Sequence, residues 1–372
     1  MKFRSERDSL AEVLATAGRA AAGRGVTSAV LSGLMLRAEG NRLEVTGTDL
    51  DLTIRVGHEV IGIEDGTCVV PGRLTADVVR ALEPGAVTIE SDDDKVEISS
   101  ARAHFGLRSF PAVEFPVLPA PPPPSVTLPR AAFVEALRQV VRAASNDDAR
   151  PLLTGVLMTT EGSAVRLVAT DSYRLALRDL HGTATLGENG DVLVPARALA
   201  ELQRLSPSGS AGAEGEGPGA EVRVSPGMAE ITFTTGAVQI STRLLEGSYP
   251  DFRQLIPEQY QNRLHVGRES LVSALRRVRL LVRDNMTPVR LSMRANGVDL
   301  SVVSQEVGDA SETVDGDYTG EDLVIAFNPS YLIEGVDAVL DDEVFIEADD
   351  PARPATVRAA GRDDFRYLLM PV

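Results

Sequence analysis

The chain has no tryptophan, one cysteine and, as its only lysines, Lys2 and Lys95, among 372 residues. Each scarcity closes off a class of function. Cys68 alone makes no intrachain disulfide and no cysteine-based zinc site. The four histidines, His58, His104, His181 and His265, are scattered without the spacing of metal ligands and read as satisfied or surface residues. Aromatic residues are 4% of the chain, too few for a platform on which single-stranded bases stack. No apolar run approaches the roughly 18 residues of a membrane span. The start, Met1-Lys2-Phe3-Arg4-Ser5-Glu6, lacks the apolar stretch of a signal peptide. A cytoplasmic protein with no membrane partner is expected. There is no Gly-x-Ser-x-Gly elbow, no His-Glu-x-x-His, no Walker loop and no dinucleotide fingerprint. No enzymatic activity, catalytic residue, metal or cofactor is therefore expected.

What the chain does have is ordinary bulk and unusual order. Hydrophobic residues are 43% and charged residues 24%, enough to bury the cores of two or three domains. The formal charge of −17 by itself argues against nucleic acid. Its distribution argues differently, because nearly all the positive charge is arginine gathered on predicted helices. The stretch 266–285 holds Arg268, Arg276, Arg277, Arg279 and Arg283, and the stretch 129–147 holds Arg130, Arg138 and Arg142. Acids gather in turns, as at Asp92-Asp93-Asp94 and Asp341-Asp342-Glu343. Basic helices with an acidic exterior suit a concave DNA-lining surface, held to phosphates without regard to sequence. Arginines that merely solvate helix faces give the same pattern.

Internal repetition is the strongest signal. An amphipathic helix opens each third, over 5–15, from Pro129 to Val141, and from Arg268 to Leu281. An apolar strand follows each: Ala29–Leu36, Leu152–Met158 and Val289–Met293. The next strand runs into Thr48-Asp49 in the first third and Thr170-Asp171 in the second, a step the third lacks. An Asp placed there is a turn or cap residue far more often than a catalyst. A second helix recurs behind Val70-Pro71, Val194-Pro195 and Phe327-Asn328-Pro329. The closing strand recurs at 105–111, 241–247 and 365–371. Three α+β domains result, at 1–120, 126–256 and 260–372. The prolines of 116–124 and the turn residues of 257–267 separate them. The Gly-, Ser- and Glu-rich stretch 206–221 reads as a solvated hairpin loop.

On this frame the chain resembles the bacterial DNA polymerase III beta subunits, the sliding clamps. The resemblance spans essentially the whole chain. It rests on Met1-Lys2-Phe3 before a charged helix, Ala169-Thr170-Asp171-Ser172-Tyr173-Arg174-Leu175, Leu245-Glu246-Gly247-Ser248-Tyr249-Pro250-Asp251-Phe252, Ala326-Phe327-Asn328-Pro329-Ser330-Tyr331-Leu332 and Tyr367-Leu368-Leu369-Met370-Pro371. It implies a head-to-tail homodimeric ring of six clamp-fold domains, with antiparallel sheets outside and helices lining a central hole. Double-stranded DNA is held in that hole without sequence preference. Arg24, Arg73, Asn146, Asp147 and Arg197 match DNA-facing positions. Phe105, Leu107, Leu280 and Leu281 match the dimer contact.

The resemblance further implies a cleft for Gln-x-x-Leu-Phe-like segments of the replicative polymerase, the clamp loader and other proteins. Leu153, Thr170, Tyr173, Arg174, Leu175, Pro250, Leu255, Met286, Asn328, Tyr331, Leu368, Leu369, Met370 and Pro371 match it. Burying a Leu and a Phe there supplies about 3–6 kcal/mol. Micromolar binding needs about 8 kcal/mol, so polar contacts must contribute. Three departures fall on the cleft. Ser172 stands where glycine is common, Gln254 where arginine is common, and the chain ends at Val372 where family members usually continue. They raise the alternative of a specialised second clamp copy with altered partner or inhibitor affinity. A clamp-fold regulator not loaded on DNA and a hydrolase with an unrecognised carboxylate site are rivals, the latter without any nucleophile–base motif.

Overall fold

The computed structural model describes residues 1–21, 28–92, 94–182, 186, 190–205, 220–257, 259–283 and 287–372. Alternating apolar residues make strands, and the 3.6-residue pattern makes helices, in an order that recurs three times. The first repeat is β1 (Lys2–Glu6), α1 (Arg7–Gly18), β2 (Gly33–Glu39), β3 (Arg42–Thr48), β4 (Leu52–Glu59), β5 (Ile61–Glu64), β6 (Gly66–Pro71), α2 (Gly72–Ala81), β7 (Ala86–Ser91), β8 (Lys95–Ser100) and β9 (Ala103–Arg108). The second is β10 (Val126–Pro129), α3 (Arg130–Val140), β11 (Gly155–Glu161), β12 (Ala164–Thr170), β13 (Arg174–His181), β14 (Val192–Pro195), α4 (Ala196–Arg204), β15 (Glu221–Pro226), β16 (Glu230–Thr235) and β17 (Val238–Arg243). The third is β18 (Arg263–Gly267), α5 (Arg268–Val278), β19 (Val289–Arg294), β20 (Gly297–Ser304), β21 (Gly308–Thr319), β22 (Leu323–Phe327), α6 (Pro329–Asp337), β23 (Glu343–Glu347), β24 (Ala355–Ala359) and β25 (Phe365–Leu369).

One pairing rule serves all three repeats. The first strand joins the last three, as β1-β7-β8-β9, β10-β15-β16-β17 and β18-β23-β24-β25. The middle strands pair as β4-β3-β2-β6, β13-β12-β11-β14 and β21-β20-β19-β22. All these pairs are antiparallel. Repeats are stitched edge to edge. β17 pairs with β4, setting Thr242 opposite Leu52 and Val238 opposite Val56. β25 pairs with β13, setting Leu369 opposite Arg174 and Phe365 opposite Arg178. The results are an eight-stranded and a twelve-stranded sheet, with a five-stranded sheet extended by β5.

The chain forms two compact units that do not coincide with the repeats. One takes Met1–Ala131 with Arg204–Leu244; the other takes Ala132–Leu186, Gly190–Gln203 and Leu245–Val372. The first holds the five- and eight-stranded sheets, and the second holds the twelve-stranded sheet. In the second unit, Leu157, Val168, Leu175, Leu177, Leu193 and Leu368 line one sheet face, and Phe252 is buried against them. Each such side chain contributes about 1.5–3 kcal/mol when fully buried.

The ends of several elements differ from the sequence expectation. Ala29–Ser32 and Pro151–Thr154 are 3-10 turns rather than strand, because Ser32 Oγ donates to the Ala29 carbonyl at 2.6 Å and Thr154 Oγ1 to that of Pro151 at 2.7 Å. The helices expected over 129–147 and 266–285 are shorter. Each tightens into a 3-10 turn, at Val141–Ala143 and Arg279–Leu281. Pro129 ends β10 instead of entering the helix. The second closing strand is Val238–Arg243, not 241–247, because Leu245 turns away to pack on the Leu193 cluster. The Gly- and Ser-rich stretch falls, over 206–219, outside the described residues.

Candidate functional site

The same hairpin turn is built twice. In the first repeat Asp49 Oδ1 accepts from the backbone N–H groups of Asp51 and Leu52 at 3.1 and 2.8 Å. In the second Asp171 Oδ1 accepts from those of Tyr173 and Arg174 at 2.9 and 3.0 Å. Thr48 Oγ1 donates to the Leu52 carbonyl at 3.1 Å, and Thr170 Oγ1 to that of Arg174 at 2.6 Å. Both turns carry a non-glycine residue at positive φ, Leu50 at 80° and Ser172 at 81°. The two aspartates are therefore turn-formers. Side chains strained in this way persist only where their surroundings hold them.

The residue that closes each turn differs. Leu52 is apolar, whereas Arg174 is a cation only 9% exposed. Arg174 Nε donates to Asp171 Oδ2 at 3.0 Å, its Nη2 donates to the Arg142 carbonyl, and its Nη1 pairs with Glu334. Its guanidinium lies over the Tyr331 ring, 4.3 Å from the centroid. Burial by itself would lower the Arg174 pKa, but Tyr367 and Glu334 outweigh it and the pKa is raised. Tyr367 is fully buried, and that burial raises its own pKa, so it stays neutral. It accepts from Arg174 Nη1 at 3.3 Å and donates to the Tyr331 carbonyl at 3.0 Å. Gly335 makes room for this ring, since a Cβ there would sit 2.4 Å from it.

Around Arg174 the structure gathers most of the expected cleft residues. Leu175 and Leu368 face each other on β13 and β25 and belong to one buried cluster. Leu153, Thr170 and Leu369 are also buried. Beyond the last strand pair, the Met370 N–H donates to the Tyr173 carbonyl at 2.9 Å, and the Val372 N–H to that of Ala326. Tyr173 (59% exposed) and Met370 thus stand proud of a buried apolar floor. Pro250 and Leu255 are exposed on either side of Phe252, which plugs that floor. Gln254 Nε2 donates to Asp251 Oδ2 at 2.7 Å. Asn328 caps α6, its Oδ1 accepting from the N–H groups of Ser330 and Tyr331. Pro371 is partly buried at the end of the floor. Met286 lies outside the described residues.

One residue that sequence reasoning passed over ties this region to the next. Arg150 Nη1 donates to Ser172 Oγ at 3.2 Å and to the Asp171 carbonyl at 3.4 Å, while its Nε pairs with Asp147 at 3.0 Å. Hydrogen bonding from the Ala149 N–H, then Arg150, holds the Asp147 carboxyl below its ordinary pKa. A lone arginine before Pro151 carries no signal of this in sequence, since its partners come from folding. Asn146 and Asp147 are exposed. Arg73 is exposed on α2, 3.8 Å from Asp77, and Arg197 holds the same place on α4. Arg24 lies outside the described residues.

The four residues matched to a dimer contact are exposed or partly buried. Phe105 is 39% exposed on β9 and Leu107 partly buried. Leu280 is 79% exposed in the turn after α5, with Leu281 partly buried beside it. Among the described residues no group of His, Cys, Asp and Glu is arranged to hold a metal, and no helix is long and apolar enough to cross a membrane.

Comparison with known proteins agrees with this layout. Models of the DNA polymerase III beta subunit match in order: the N-terminal domain over residues 1–119, the central domain over 127–251 and the C-terminal domain over 253–372. The Beta sliding clamp of Streptomyces coelicolor is 36% identical, with 100% of this chain and 99% of that protein covered. The Beta sliding clamp homolog GriR of Streptomyces muensis is 32% identical over the same shares. Among solved structures, the DnaN sliding clamp of Bartonella birtlesii bound to griselimycin superposes with a TM-score of 0.92 at 28% identity, with 100% of this chain and 99% of that one covered. The DNA polymerase sliding clamp of Bacillus subtilis gives 0.90 at 28% identity, over the same shares.

Proposed function

Because the chain belongs to the DNA polymerase III beta subunit family, we propose that it is a sliding clamp. In this reading it is a non-catalytic processivity factor that encircles duplex DNA and tethers the replicative polymerase, the clamp loader and other partners. Two copies close head to tail into a ring. The observation that carries the reading is a gap in the stitching. β17 and β25 are closing strands paired to the middle strands β4 and β13. By the same rule, among the described residues, β9 is a closing strand with no middle-strand partner, and β21 is a middle strand with no closing strand beside its first half. β9 of one copy against β21 of another continues the rule and covers both of these edges, which is how a long exposed strand avoids misassociation. Phe105 and Leu107 sit on the first edge, and Leu280 and Leu281 beside the second.

Arg73, Asn146, Asp147 and Arg197 face the DNA in this arrangement. The residues around Arg174, from Leu153 to Pro371, take the partner segment. The exposed Tyr173, Pro250, Leu255 and Met370 form its walls. The domain limits are those of the repeats, at 1–120, 126–256 and 260–372. The setting is the cytoplasm.

Retention on closed circular duplex that is lost when the circle is cut supports an encircling ring. Equal retention on both forms overturns it. A second reading, a specialised copy with a remodelled cleft, draws on Ser172. Its hydroxyl holds Arg150 at the rim, a contact glycine cannot make. Binding of partner peptides indistinguishable from that of a standard clamp would dispose of it.

A further inference from the structure

The face of the twelve-stranded sheet that carries the apolar floor changes character beyond β25. Along β25, Leu368 and Arg366 point to the same side, two residues or about 6.6 Å apart. Leu368 belongs to the buried cluster. Arg366 lines a cavity of about 320 Å³ whose other walls are β18, β23, β24 and the segment 256–260. That volume is at the lower end of those that hold small ligand groups.

The cavity is built from cations. Arg263, Arg358 and Arg366 converge on it, with Tyr260, Thr356 and the buried Glu347. Glu347 is the shared counter-ion of two of them. It accepts from Arg263 Nε at 2.7 Å, and from Arg358 Nε and Nη2 at 2.9 Å each. Both guanidiniums also lie against the Phe345 ring, 4.8 Å from its centroid. Asp363, an exposed carboxylate 3.5 Å from Arg358 Nη1, is the other acid on the lining. The Arg366 side chain has no ion pair or hydrogen-bond partner among the described residues. Three guanidiniums against one buried and one solvated acid leave a local positive excess on a chain of net charge −17. An arginine fork without a carboxylate can donate two parallel hydrogen bonds to one.

The cavity is continuous with the apolar floor. Ile256 packs on the Leu368 cluster from one side and lines the cavity from the other. A chain lying over Leu175 and Leu368 and crossing Phe252 arrives at Arg366. We propose that this cavity takes an acidic side chain from a partner segment, flanking the apolar residues that fill the cleft, with Arg366 as its main contact. The inference rests on the docking role proposed above and adds to it a preference for an acidic flank.

The test uses the whole protein and a labelled peptide of the Gln-x-x-Leu-Phe pattern. Versions extended at either end by a flexible spacer and a pair of glutamates are compared with glutamine-matched controls, by fluorescence anisotropy. One acidic version is expected to bind about three- to tenfold tighter than its control. Arg366→Gln should abolish that gain while leaving the unextended peptide's affinity unchanged, and Arg366→Lys should retain part of it. Added salt should shrink the gain and not the unextended affinity. No gain from either acidic end, or a gain that survives Arg366→Gln, overturns the proposal while docking stands. Failure of the unextended peptide to bind the folded protein overturns docking, and the acidic flank with it.

Discussion

Phe105 and Phe365 hold the same place in their repeats, yet the first is 39% exposed and the second 2%. Each has an apolar residue two positions on and a proline six positions on, Leu107 and Pro111 or Tyr367 and Pro371. Their strands have the same neighbours inside their repeats. What differs is the far edge. β25 lies against β13, and β9 has no such partner among the described residues. Burial at a closing strand is thus set by a strand roughly half the chain away in sequence, not by the residue itself. The unfilled edge is the one that the proposed second copy would cover.

The most severe way to test that comparison is to spoil the unfilled edges. Phe105→Ala combined with Leu280→Asp should lower self-association about a thousandfold or more, because a charge must then be buried in an apolar contact. Light scattering at micromolar concentration should read one subunit mass, with urea unfolding of the single chain little changed. Two subunit masses would mean that β9 and β21 are not the contact.

Spoiling a filled edge should do the opposite. Ile240 is fully buried on β17. Ile240→Ala should cost about 2–5 kcal/mol of stability in urea, with the subunit count unaltered. A monomer from that change would blur the distinction between the two kinds of edge.

At a smaller scale, the filled edge of β25 ends where Met370 meets Tyr173, and there the walls of the cleft begin. Met370→Ala should weaken a Gln-x-x-Leu-Phe peptide about three- to tenfold and leave association untouched, since the lost contact is one exposed side chain. Anisotropy of the labelled peptide reads it, and an unchanged affinity would move the binding surface elsewhere.

The smallest effect compares the two copies of the turn beside β4 and β13. Leu50→Gly should relieve positive-φ strain and add about 0.5–1 kcal/mol in urea melts. Ser172→Gly relieves the same strain but loses the Arg150 hydrogen bond, so it should gain less. Equal gains would show that the Arg150 contact contributes nothing.

The repeats and the α+β class were readable because periodicity is local, and so were the Asp49 and Asp171 turns. The 3-10 turns at 29–32 and 151–154 were not, since their apolar residues look like strand and the deciding hydroxyl bonds of Ser32 and Thr154 are a matter of geometry. The slip of the second closing strand had a similar cause: Leu244 and Leu245 continue the apolar pattern while the backbone leaves the sheet. The gathering around Arg174 was legible only through family resemblance. The arginine cavity drew no signal at all, because Arg263, Glu347, Arg358 and Arg366 come from four strands and meet only through register.

The second repeat is divided between the two compact units, its closing strands in one and its middle strands in the other. Duplication and cooperativity therefore have different boundaries in this molecule. Excised by itself, the middle third would carry two half-sheets, each missing the neighbour that hides its edge, and would have little reason to stay folded. When one compact unit melts it takes half of the middle repeat along, together with the repeat that shares a sheet with that half. The seams that let copied modules share sheets also bind their fates together.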